Sequence, residues 1–535
     1  MSGPSSLLEL MEAQAVRHDS QAIYRFLDTG AEWTFAELPR RAGRVAGQLR
    51  AAGVGEGARV GILAQDRATF CDAFFGLQHL GAVPVPLGIA GNPGSEAWTA
   101  LLADRVRRFG LEAVATEPVS ASALAAAVAP ARPVGVDGTV GDPIPPGAPS
   151  PIALVQPSSG TTGDPKGVVV SQAAVLTNLT AIQEQWELDS GDSGLSWLPL
   201  FHDMGLIGTV LQALHAGGTL HHWPTESFLR SPQRWVSLLD ELRVTVAVAP
   251  PFALELVTRR MRRRGGDADL SALRHLLVGA EQIRPEVLDA FAEVAQPCGL
   301  APEALCPTYG LAEATLAVSA TPAKATYRTF VDGRHRHTSC GPPVPGVEVM
   351  VDPATDELLV RTPSVMDGYL DDPVATSAAL AGGWLHTGDA ARIVDGEVVI
   401  VGRSKEMINR GGQRLPASDF ELAVQGVDGV LPDRVIAFGD LTEDGERVVM
   451  LAESRRRGTG GEIVLALRRR LADAGLAVDV VELVKPGFIP RTTSGKLRRA
   501  AAHELWRATH AASHGAGGIA DGLGDDVRDE ARAAG

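Results

Sequence analysis

The N-terminal part of the chain alternates between short apolar runs and longer segments in which apolar residues recur at helical spacing. Residues 33–53 and 68–80 have the helical pattern, and Gly81 is a natural stop for the second helix. Residues 58–64 and 82–86 are short apolar runs, and the two prolines of the second run suit the edge of a sheet. The order is β-α-β, which predicts a parallel sheet with a right-handed crossover.

A second alternating series occupies the middle of the chain. Strand patterns lie at residues 152–155, 168–170, 219–223, 244–249 and 275–278, and helical patterns lie at residues 171–186, 232–242, 252–264 and 285–295. This alternation predicts the α/β class. Residues 115–151 are rich in Ala, Pro and Gly, and we expect them to wind over the surface.

The pattern of predicted elements changes after residue 340, where short strands and turns replace the α/β alternation. We expect a large N-terminal α/β domain at residues 1–402, with parallel sheets, helices and a β-rich subdomain. A small α+β domain should follow at residues 403–510, and residues 511–535 should form a flexible tail. A chain of 535 residues is too long for one hydrophobic core, which agrees with this division.

Composition narrows the function classes. Hydrophobic residues make up 45% of the chain and charged residues 21%, as in ordinary globular proteins. The net charge of −15 argues against a nucleic-acid partner. The cysteines (Cys71, Cys298, Cys306 and Cys340) are too scattered for a zinc site or a disulfide framework. With no signal peptide and no apolar stretch that could span a membrane, a cytoplasmic location is expected.

The most distinctive stretch is residues 158–167, which read SSGTTGDPKG. Glycines let backbone N–H groups approach an anion, and the hydroxyls add donors, so the loop suits a polyphosphate. It is not a Walker A loop, because glycine follows Lys166 and the pair Asp164-Pro165 would break a helix start. An ordinary Gly/Ser/Thr turn is the alternative interpretation.

Three further stretches carry candidate chemistry. His202 and Asp203 lie in a turn bracketed by Pro and Gly, where the pair is either a gate or a structural hydrogen bond. Residues 279–281 end a predicted strand, where open α/β sheets bind ligands. Tyr309 offers an aromatic face for a base, and Glu313 offers a carboxylate for Mg²⁺, unless that carboxylate only starts a helix.

Three more motifs follow at residues 384–389 (WLHTGD), 402–406 (GRSKE) and 489–499 (IPRTTSGKLRR). Taken in order along residues 158–499, all of these stretches resemble the adenylate-forming superfamily. That superfamily includes acyl-CoA synthetases, peptide-synthetase adenylation domains, luciferases and fatty acyl-AMP ligases. The phrase SWLPLFHDMGLIG at residues 196–208 is most similar to the fatty acyl-AMP ligases. The resemblance implies an enzyme that activates a carboxylic acid with Mg·ATP and passes the acyl group to a thiol, with a C-terminal domain that moves between the two steps.

The resemblance also implies roles for individual residues. Lys496, His202 and Thr308 would be catalytic, Glu313 would hold the metal, and Lys405 would be the hinge. The residues expected at ATP or AMP are Ser158, Ser159, Gly160, Thr161, Thr162, Gly163, Lys166, Gly279, Ala280, Glu281, Tyr309, Gly310, Asp389 and Arg403. Within this set Tyr309 would pack on adenine, while Asp389 and Arg403 would contact the ribose. Without the resemblance, Arg403, Lys405 and Lys496 could be ordinary surface charges.

The substrate acid and the acyl acceptor are less well defined. Apolar residues expected around the acyl tail are Met204, Leu206, Ile207, Val248 and Phe252. Acyl-AMP ligases usually carry an insertion that this chain lacks between residues 369 and 384. Gly411 and Gly412 would leave room for pantetheine to pass close to backbone. These two departures favour coenzyme A (CoA) slightly over the 4′-phosphopantetheine of an acyl carrier protein.

Three alternatives stay open at the sequence level. The first is an acyl-AMP ligase that loads a carrier protein and has no activity with CoA. The second is a P-loop NTPase or kinase, which would release ADP rather than AMP and would need the missing Walker lysine. The third is a catalytically dead nucleotide- or acyl-binding regulator, against which the set of Glu313, Asp389 and Lys496 speaks.

Overall fold

The computed structural model describes residues 3–89, 91–158, 165–264, 268–332, 335–410, 413–442, 445–455, 460–491 and 497–515. Contacts divide these residues into two compact units, one that ends at Lys405 and one that begins at Glu406. Within the described ranges, no helix is both long enough and apolar enough to cross a bilayer.

The first part of unit 1 contains a parallel sheet of four strands in the order β4-β3-β5-β6. The predicted β-α-β unit is confirmed, and β4, which carries the two prolines, lies at the sheet edge. The elements are α1 Leu7–His18, β1 Ala22–Phe26, β2 Ala31–Thr34, α2 Glu37–Ala51, β3 Arg59–Ile62, α3 Arg67–Leu80, β4 Val83–Pro86, α4 Glu96–Arg108, β5 Ala113–Thr116, α5 Pro118–Val128 and β6 Arg132–Gly135.

The middle of unit 1 forms an eight-stranded sheet in the order β14-β13-β12-β11-β9-β10-β1-β2. Only the β1–β2 and β13–β14 pairs are antiparallel. The elements are β7 Ile152–Pro157, β8 Gly167–Ser171, α6 Gln172–Trp186, β9 Ser193–Ser196, α7 Asp203–Gly205, a π-helical turn Leu206–Leu211, α8 Gln212–Ala216, β10 Thr219–His222, α9 Thr225–Arg230, α10 Pro232–Glu241, β11 Val246–Ala249, α11 Pro251–Arg264, β12 His275–Val278, α12 Pro285–Ala295, β13 Leu305–Gly310 and β14 Ala317–Ala320.

The last part of unit 1 is rich in strands, as predicted. An antiparallel sheet has the order β17-β18-β20-β21, and β19 pairs with β8 in a separate sheet of order β19-β8-β7. The elements are β15 Thr329–Asp332, β16 His335–Thr338, β17 Glu348–Val351, β18 Glu357–Arg361, β19 Gly368–Tyr369, α13 Pro373–Ala379, β20 Leu385–Val394 and β21 Glu397–Arg403.

Unit 2 is a small α+β fold around a three-stranded sheet, β24-β25-β26. Alternate residues of β24 enter two cores, with Val435 and Ala437 on one face and Ile436 and Phe438 on the other, beside Trp506. The elements are β22 Met407–Arg410, β23 Gln413–Pro416, α14 Ala417–Ala423, β24 Val430–Thr442, β25 Gly445–Ser454, α15 Gly460–Asp473, β26 Val480–Val484 and α16 Arg499–Gly515.

Two expectations about secondary structure are wrong. Residues 115–151 contain α5 and β6, and β6 extends the N-terminal parallel sheet instead of winding over the surface. The helix predicted from Trp33 begins only at Glu37, and Trp33 lies in β2. Residues 516–535, which make up most of the predicted tail, lie outside the described residues, and α16 extends to Gly515.

Candidate active site

The phosphate-loop candidate is the connection between two antiparallel strands, β7 and β8. Its base is closed by two hydrogen bonds, from Ser158 N to Lys166 O (2.8 Å) and from Lys166 N to Ser158 Oγ (3.2 Å). Ser159, Gly160, Thr161, Thr162 and Gly163 lie outside the described residues. The ammonium of Lys166 lies 4.3 Å from the centre of the Tyr369 ring, within cation–π range.

Tyr369 also contacts the predicted metal ligand. Its hydroxyl donates to Glu313 Oε1 at 2.8 Å, and burial, followed by the nearby Glu313 charge, raises the pKa of the Tyr369 phenol. One aromatic side chain therefore joins Lys166 and Glu313. Tyr369 was not predicted as a site residue, although its position in β19, paired with Val168 of β8, places it beside the loop.

The described residues contain no group of three or more His, Cys, Asp or Glu side chains that could hold a metal ion together. A single carboxylate such as Glu313 nevertheless fits Mg²⁺ that arrives with a nucleotide. Mg²⁺ is usually held by one or two carboxylates together with substrate phosphates and water.

A second cluster joins Tyr309, Asp389 and Arg403. The Tyr309 hydroxyl donates to Asp389 Oδ2 at 2.6 Å, and Arg403 Nε lies 2.9 Å from Asp389 Oδ1. Asp389 is only 4% exposed, so these contacts offset the cost of burying its charge. Burial, followed by the Asp389 charge, raises the pKa of Tyr309 well above its usual range, so the phenol stays neutral and donates. Residues predicted for adenine and ribose are thus in direct contact.

The strand-end residues meet because β12 and β13 are parallel neighbours that end at the same edge. Thr308 Oγ1 donates to Val278 O at 3.2 Å. A Cβ added to Gly279 would lie 2.5 Å from that same Thr308 hydroxyl oxygen, so the Thr308 side chain would have to shift. Ala280 follows with φ of 70°, a left-handed conformation that is costly for a residue with a side chain. Glu281 follows Ala280 in the same turn.

His202 lies at the start of the short helix α7, with its Nδ1 2.6 Å from Asp203 Oδ1. Both side chains are partly buried. Gln156, at the end of β7, donates from Nε2 to Phe201 O at 2.9 Å. This bond ties the turn that carries His202 to the strand that leads into the phosphate-loop candidate.

The five predicted acyl-pocket residues do not form one group. Met204, Val248 and Phe252 belong to one hydrophobic cluster together with Trp197. Leu206 and Ile207 have no exposed surface and pack in the other large core of unit 1. The aromatic ring of Trp197 stacks on Phe228 at 3.8 Å.

The remaining predicted residues fall elsewhere. Lys405 is exposed in a short turn at the end of unit 1. Gly310 ends β13, where a Cβ would lie 1.7 Å from Leu316 O. Lys496, Gly411 and Gly412 lie outside the described residues.

This chain is similar to known proteins over most of its length. Residues 11–370 match the family described as AMP-binding enzyme. A Caulobacter vibrioides protein provisionally named acyl-CoA synthetase is 31% identical, with 89% of this chain and 90% of that protein covered. The 4-hydroxyphenylalkanoate adenylyltransferase of Mycobacterium tuberculosis is 30% identical, with 94% and 91% covered.

Among solved structures, one comes from structural and functional studies of fatty acyl-adenylate ligases from E. coli and L. pneumophila. It superposes with a TM-score of 0.84 at 28% identity and covers 95% of this chain and 98% of its own. The family match covers more than half of the chain, and the relatives cover nearly all of it. The chain therefore belongs to the AMP-binding enzyme family and is an adenylate-forming ligase.

Proposed function

We propose that this enzyme uses Mg·ATP to convert an apolar carboxylic acid into acyl-AMP, and then transfers the acyl group to a phosphopantetheine thiol. The observation that carries this proposal is the Tyr309–Asp389–Arg403 cluster. It combines an aromatic ring that could lie against a base with a buried carboxylate that could accept from ribose hydroxyls. The Lys166–Tyr369–Glu313 group supplies the cation and the carboxylate that a polyphosphate with its metal requires.

In the first half-reaction, a carboxylate oxygen of the acid attacks the α-phosphorus of ATP, and the bond to the leaving pyrophosphate breaks. Two negatively charged reactants must meet, so catalysis consists mainly of charge stabilisation and positioning. Lys166 and the loop it closes would hold the β- and γ-phosphates, while Thr308 would lie near the α-phosphate. Lys496 would bridge the attacking carboxylate and the phosphate, as a compact ammonium on a flexible stem can.

In the second half-reaction, a thiol sulfur attacks the carbonyl carbon of acyl-AMP, and AMP leaves with the bonding electrons. Lys496 has no role in this step and would have to withdraw to admit the thiol. We propose that the chain turns at Lys405, whose exposed position between the two compact units suits a hinge. His202 would border the path along which the acyl group lies.

The acid is proposed to carry an aliphatic or aryl tail. Support comes from the apolar cluster around Met204, Val248 and Phe252, and from relatives that are named for 4-hydroxyphenylalkanoate and long-chain fatty acids. Trp197 and Phe228 add a stacked aromatic wall in the same cluster, which favours aryl or long alkyl groups over small polar acids.

CoA is proposed as the acceptor slightly ahead of a carrier protein. The connection between β19 and β20 consists only of α13 and a short turn, which agrees with the short connection expected of CoA ligases. A carrier-loading ligase is the second candidate, because a similar solved structure comes from work on fatty acyl-adenylate ligases. The two candidates share the first half-reaction and differ only in the thiol that accepts the acyl group.

The test measures acid-dependent AMP release across a panel of aryl and aliphatic acids, with CoA and a phosphopantetheinylated carrier protein as separate acceptors. The proposal predicts AMP with at least one acid and a thioester with CoA. Release of ADP, or of no nucleotide product with any acid, would contradict the proposal.

The Lys496→Ala variant tests the mechanism. Acid-dependent exchange of pyrophosphate into ATP should fall by about three orders of magnitude, because the positioned charge is removed from the transition state. Arg498→Ala, two residues further on, is a nearby control that removes a charge outside the proposed reaction centre. Unchanged exchange in Lys496→Ala would remove this lysine from the mechanism.

A further inference from the structure

The segment that leads to Lys496 is fixed at its base. Glu453, which is 1% exposed, accepts through Oε1 from the backbone N of Gly487 (3.0 Å) and of Ile489 (2.9 Å). These bonds anchor the turn that follows β26 and leads into the segment. The carboxylate is buried in unit 2, so the anchor would be costly to break.

The base of the same segment is also closed on itself. Arg491 and Leu497 form an antiparallel bridge, and Arg498 N donates to Pro490 O at 2.9 Å. Residues 490, 491, 497 and 498, which flank residues 492–496 in the sequence, are therefore paired with each other. We call these four described residues the lysine segment.

Arg499 follows the lysine segment directly and is the first residue of α16. Its guanidinium contacts two carboxylates: Nη1 pairs with Glu406 Oε2, and Nη2 lies 2.7 Å from Glu421 Oε1. Its Nε donates to Ala437 O at 2.8 Å. Glu421 Oε1 in turn accepts from Ala437 N at 2.9 Å, so the network reaches β24, an edge strand of the unit 2 sheet.

This charge cluster is largely withdrawn from solvent. The side chains of Arg499, Glu421 and Glu406 are 13%, 17% and 21% exposed. A planar guanidinium can serve two carboxylates at once, which an ammonium cannot do with the same geometry. Surface ion pairs contribute little, whereas losing one partner of a buried set leaves an uncompensated charge. Arg499 is therefore held in a defined place in unit 2.

The position of Glu406 gives the cluster its significance. Glu406 is the first residue of unit 2 and immediately follows Lys405. We propose that Arg499 is a positioning residue that couples the segment after Lys405 to the lysine segment, so that both turn together and Lys496 arrives at a defined position. This inference rests on the proposed function, because it assumes that Lys496 serves the first half-reaction.

The two half-reactions should respond differently. Formation of acyl-AMP requires Lys496 to be placed within a fraction of an ångström, and misplacement by about 1 Å can cost a hundredfold in rate. Attack of the thiol on acyl-AMP does not use Lys496. Loss of the Arg499–Glu406 contact should therefore slow the first step and leave the second step nearly unchanged.

The first variant is Glu406→Ala in the full-length chain. Glu421 is a poorer target, because it also accepts from Ala437 N and its loss would disturb β24. The matched control is Glu504→Ala, which removes an exposed glutamate from α16, the helix that Arg499 begins. Acid-dependent pyrophosphate exchange and thioester formation from supplied acyl-AMP are measured separately, together with the urea midpoint of unfolding.

We expect exchange by Glu406→Ala to fall between about tenfold and a hundredfold, with thioester formation from supplied acyl-AMP within about twofold of wild type. Glu504→Ala should match wild type in both assays. Full exchange activity in Glu406→Ala would overturn the inference. An equal loss in both assays, accompanied by a lower urea midpoint, would assign the cluster to stability alone and would also overturn it.

Arg499→Lys provides the second variant. Lysine keeps the charge but cannot bind Glu406 and Glu421 through one planar fork, so a selective loss of exchange is again expected. A wild-type enzyme that shows no acid-dependent exchange, or a Lys496→Ala variant with normal exchange, would instead contradict the proposed function. The two kinds of failure are therefore distinguishable.

Discussion

At the scale of single residues, Tyr369 connects two features that the motifs treat separately. Its ring lies against the Lys166 ammonium and its hydroxyl binds Glu313. Partners of metal ligands fix the orientation of those ligands, and their loss typically costs about tenfold to a hundredfold in metal affinity or activity.

Tyr369→Phe keeps the ring and removes only the hydroxyl. We expect the Mg²⁺ concentration needed for half-maximal exchange to rise about tenfold.

Tyr327→Phe is the matched control for this prediction. The Tyr327 hydroxyl also donates to a carboxylate, Asp289 Oδ1 at 2.9 Å, so the chemical change is the same. Because neither residue is part of the site, the Mg²⁺ dependence of Tyr327→Phe should equal that of wild type. An unchanged Mg²⁺ dependence in Tyr369→Phe would show that Glu313 needs no help from this hydroxyl.

Gly310 illustrates a residue that serves packing inside a functional motif. A Cβ at this position would lie 1.7 Å from Leu316 O, a backbone atom that cannot move alone. Gly310→Ala should therefore lower the free energy of unfolding by about 3 kcal/mol, at the upper end of overpacking costs. Gly55→Ala is the control, because a Cβ there meets nothing within 4 Å. Urea unfolding with equal stability for both variants would contradict the expectation.

The sequence could predict residues whose chemistry is indicated by a short local motif, such as Tyr309, Glu313 and Asp389. Tyr369 was not predicted as a site residue because its contacts depend on the pairing of β19 with β8, which joins positions far apart in the chain. Arg499 was not predicted as a site residue. Its two carboxylate partners come from positions 406 and 421, and no local pattern indicates that they meet.

At the scale of elements, hydrophobic periodicity correctly predicted helices and strands in which one face or every residue is buried. The helix α12 matches its prediction of residues 285–295, because Pro at its first position and the spacing of Val287, Leu288 and Phe291 mark a buried face. The helix α3 also ends as predicted, at a left-handed Gly81. The prolines of β4 indicated a sheet edge, and the sheet order places β4 there.

The wrong prediction for residues 115–151 concerns elements in which few residues are buried. The helix α5 is nearly all Ala, Ser and Val, and only Ala127 and Val128 are buried, so it carries little periodic signal. The strand β6 is a short edge strand with a proline and only Val134 buried. Composition rich in Ala, Pro and Gly indicated a loop at residues 115–151, whereas pairing with β5 makes part of it sheet. Tertiary pairing overrode weak local preference.

At the scale of the whole molecule, the two units should respond differently to acid. Burial lowers the pKa of several histidines in unit 1: His215, His221 and His275 to about 4, and His222 well below its usual range. The unfolded chain binds these protons near pH 6.5, while the folded unit does not. The stability of unit 1 should therefore fall as pH decreases from about 6.5 towards 4, by up to about 1.4 kcal/mol per pH unit for each histidine.

Unit 2 contains a carboxylate whose contribution to stability is lost only in a lower pH range. Burial raises the pKa of Asp440, but hydrogen bonds from His503, Arg507 and Arg447 outweigh it and lower the pKa to about 2. A depressed carboxyl pKa contributes stability that is lost only as pH falls below the unfolded value near 4. Between pH 6.5 and 4, this group therefore keeps its contribution while unit 1 loses stability.

Urea unfolding at pH 7, 6 and 5 tests this difference. Trp506 is the only tryptophan after residue 405, and it is 2% exposed, so subtracting the fluorescence of a Trp506→Phe variant isolates the signal of unit 2. The remaining fluorescence reports unit 1, whose midpoint should fall with each step in pH, whereas the Trp506 midpoint should change little. A parallel fall of both midpoints would mean that the units unfold as one cooperative body. A constant unit 1 midpoint would mean that its buried histidines bind protons in the folded state as readily as in the unfolded chain.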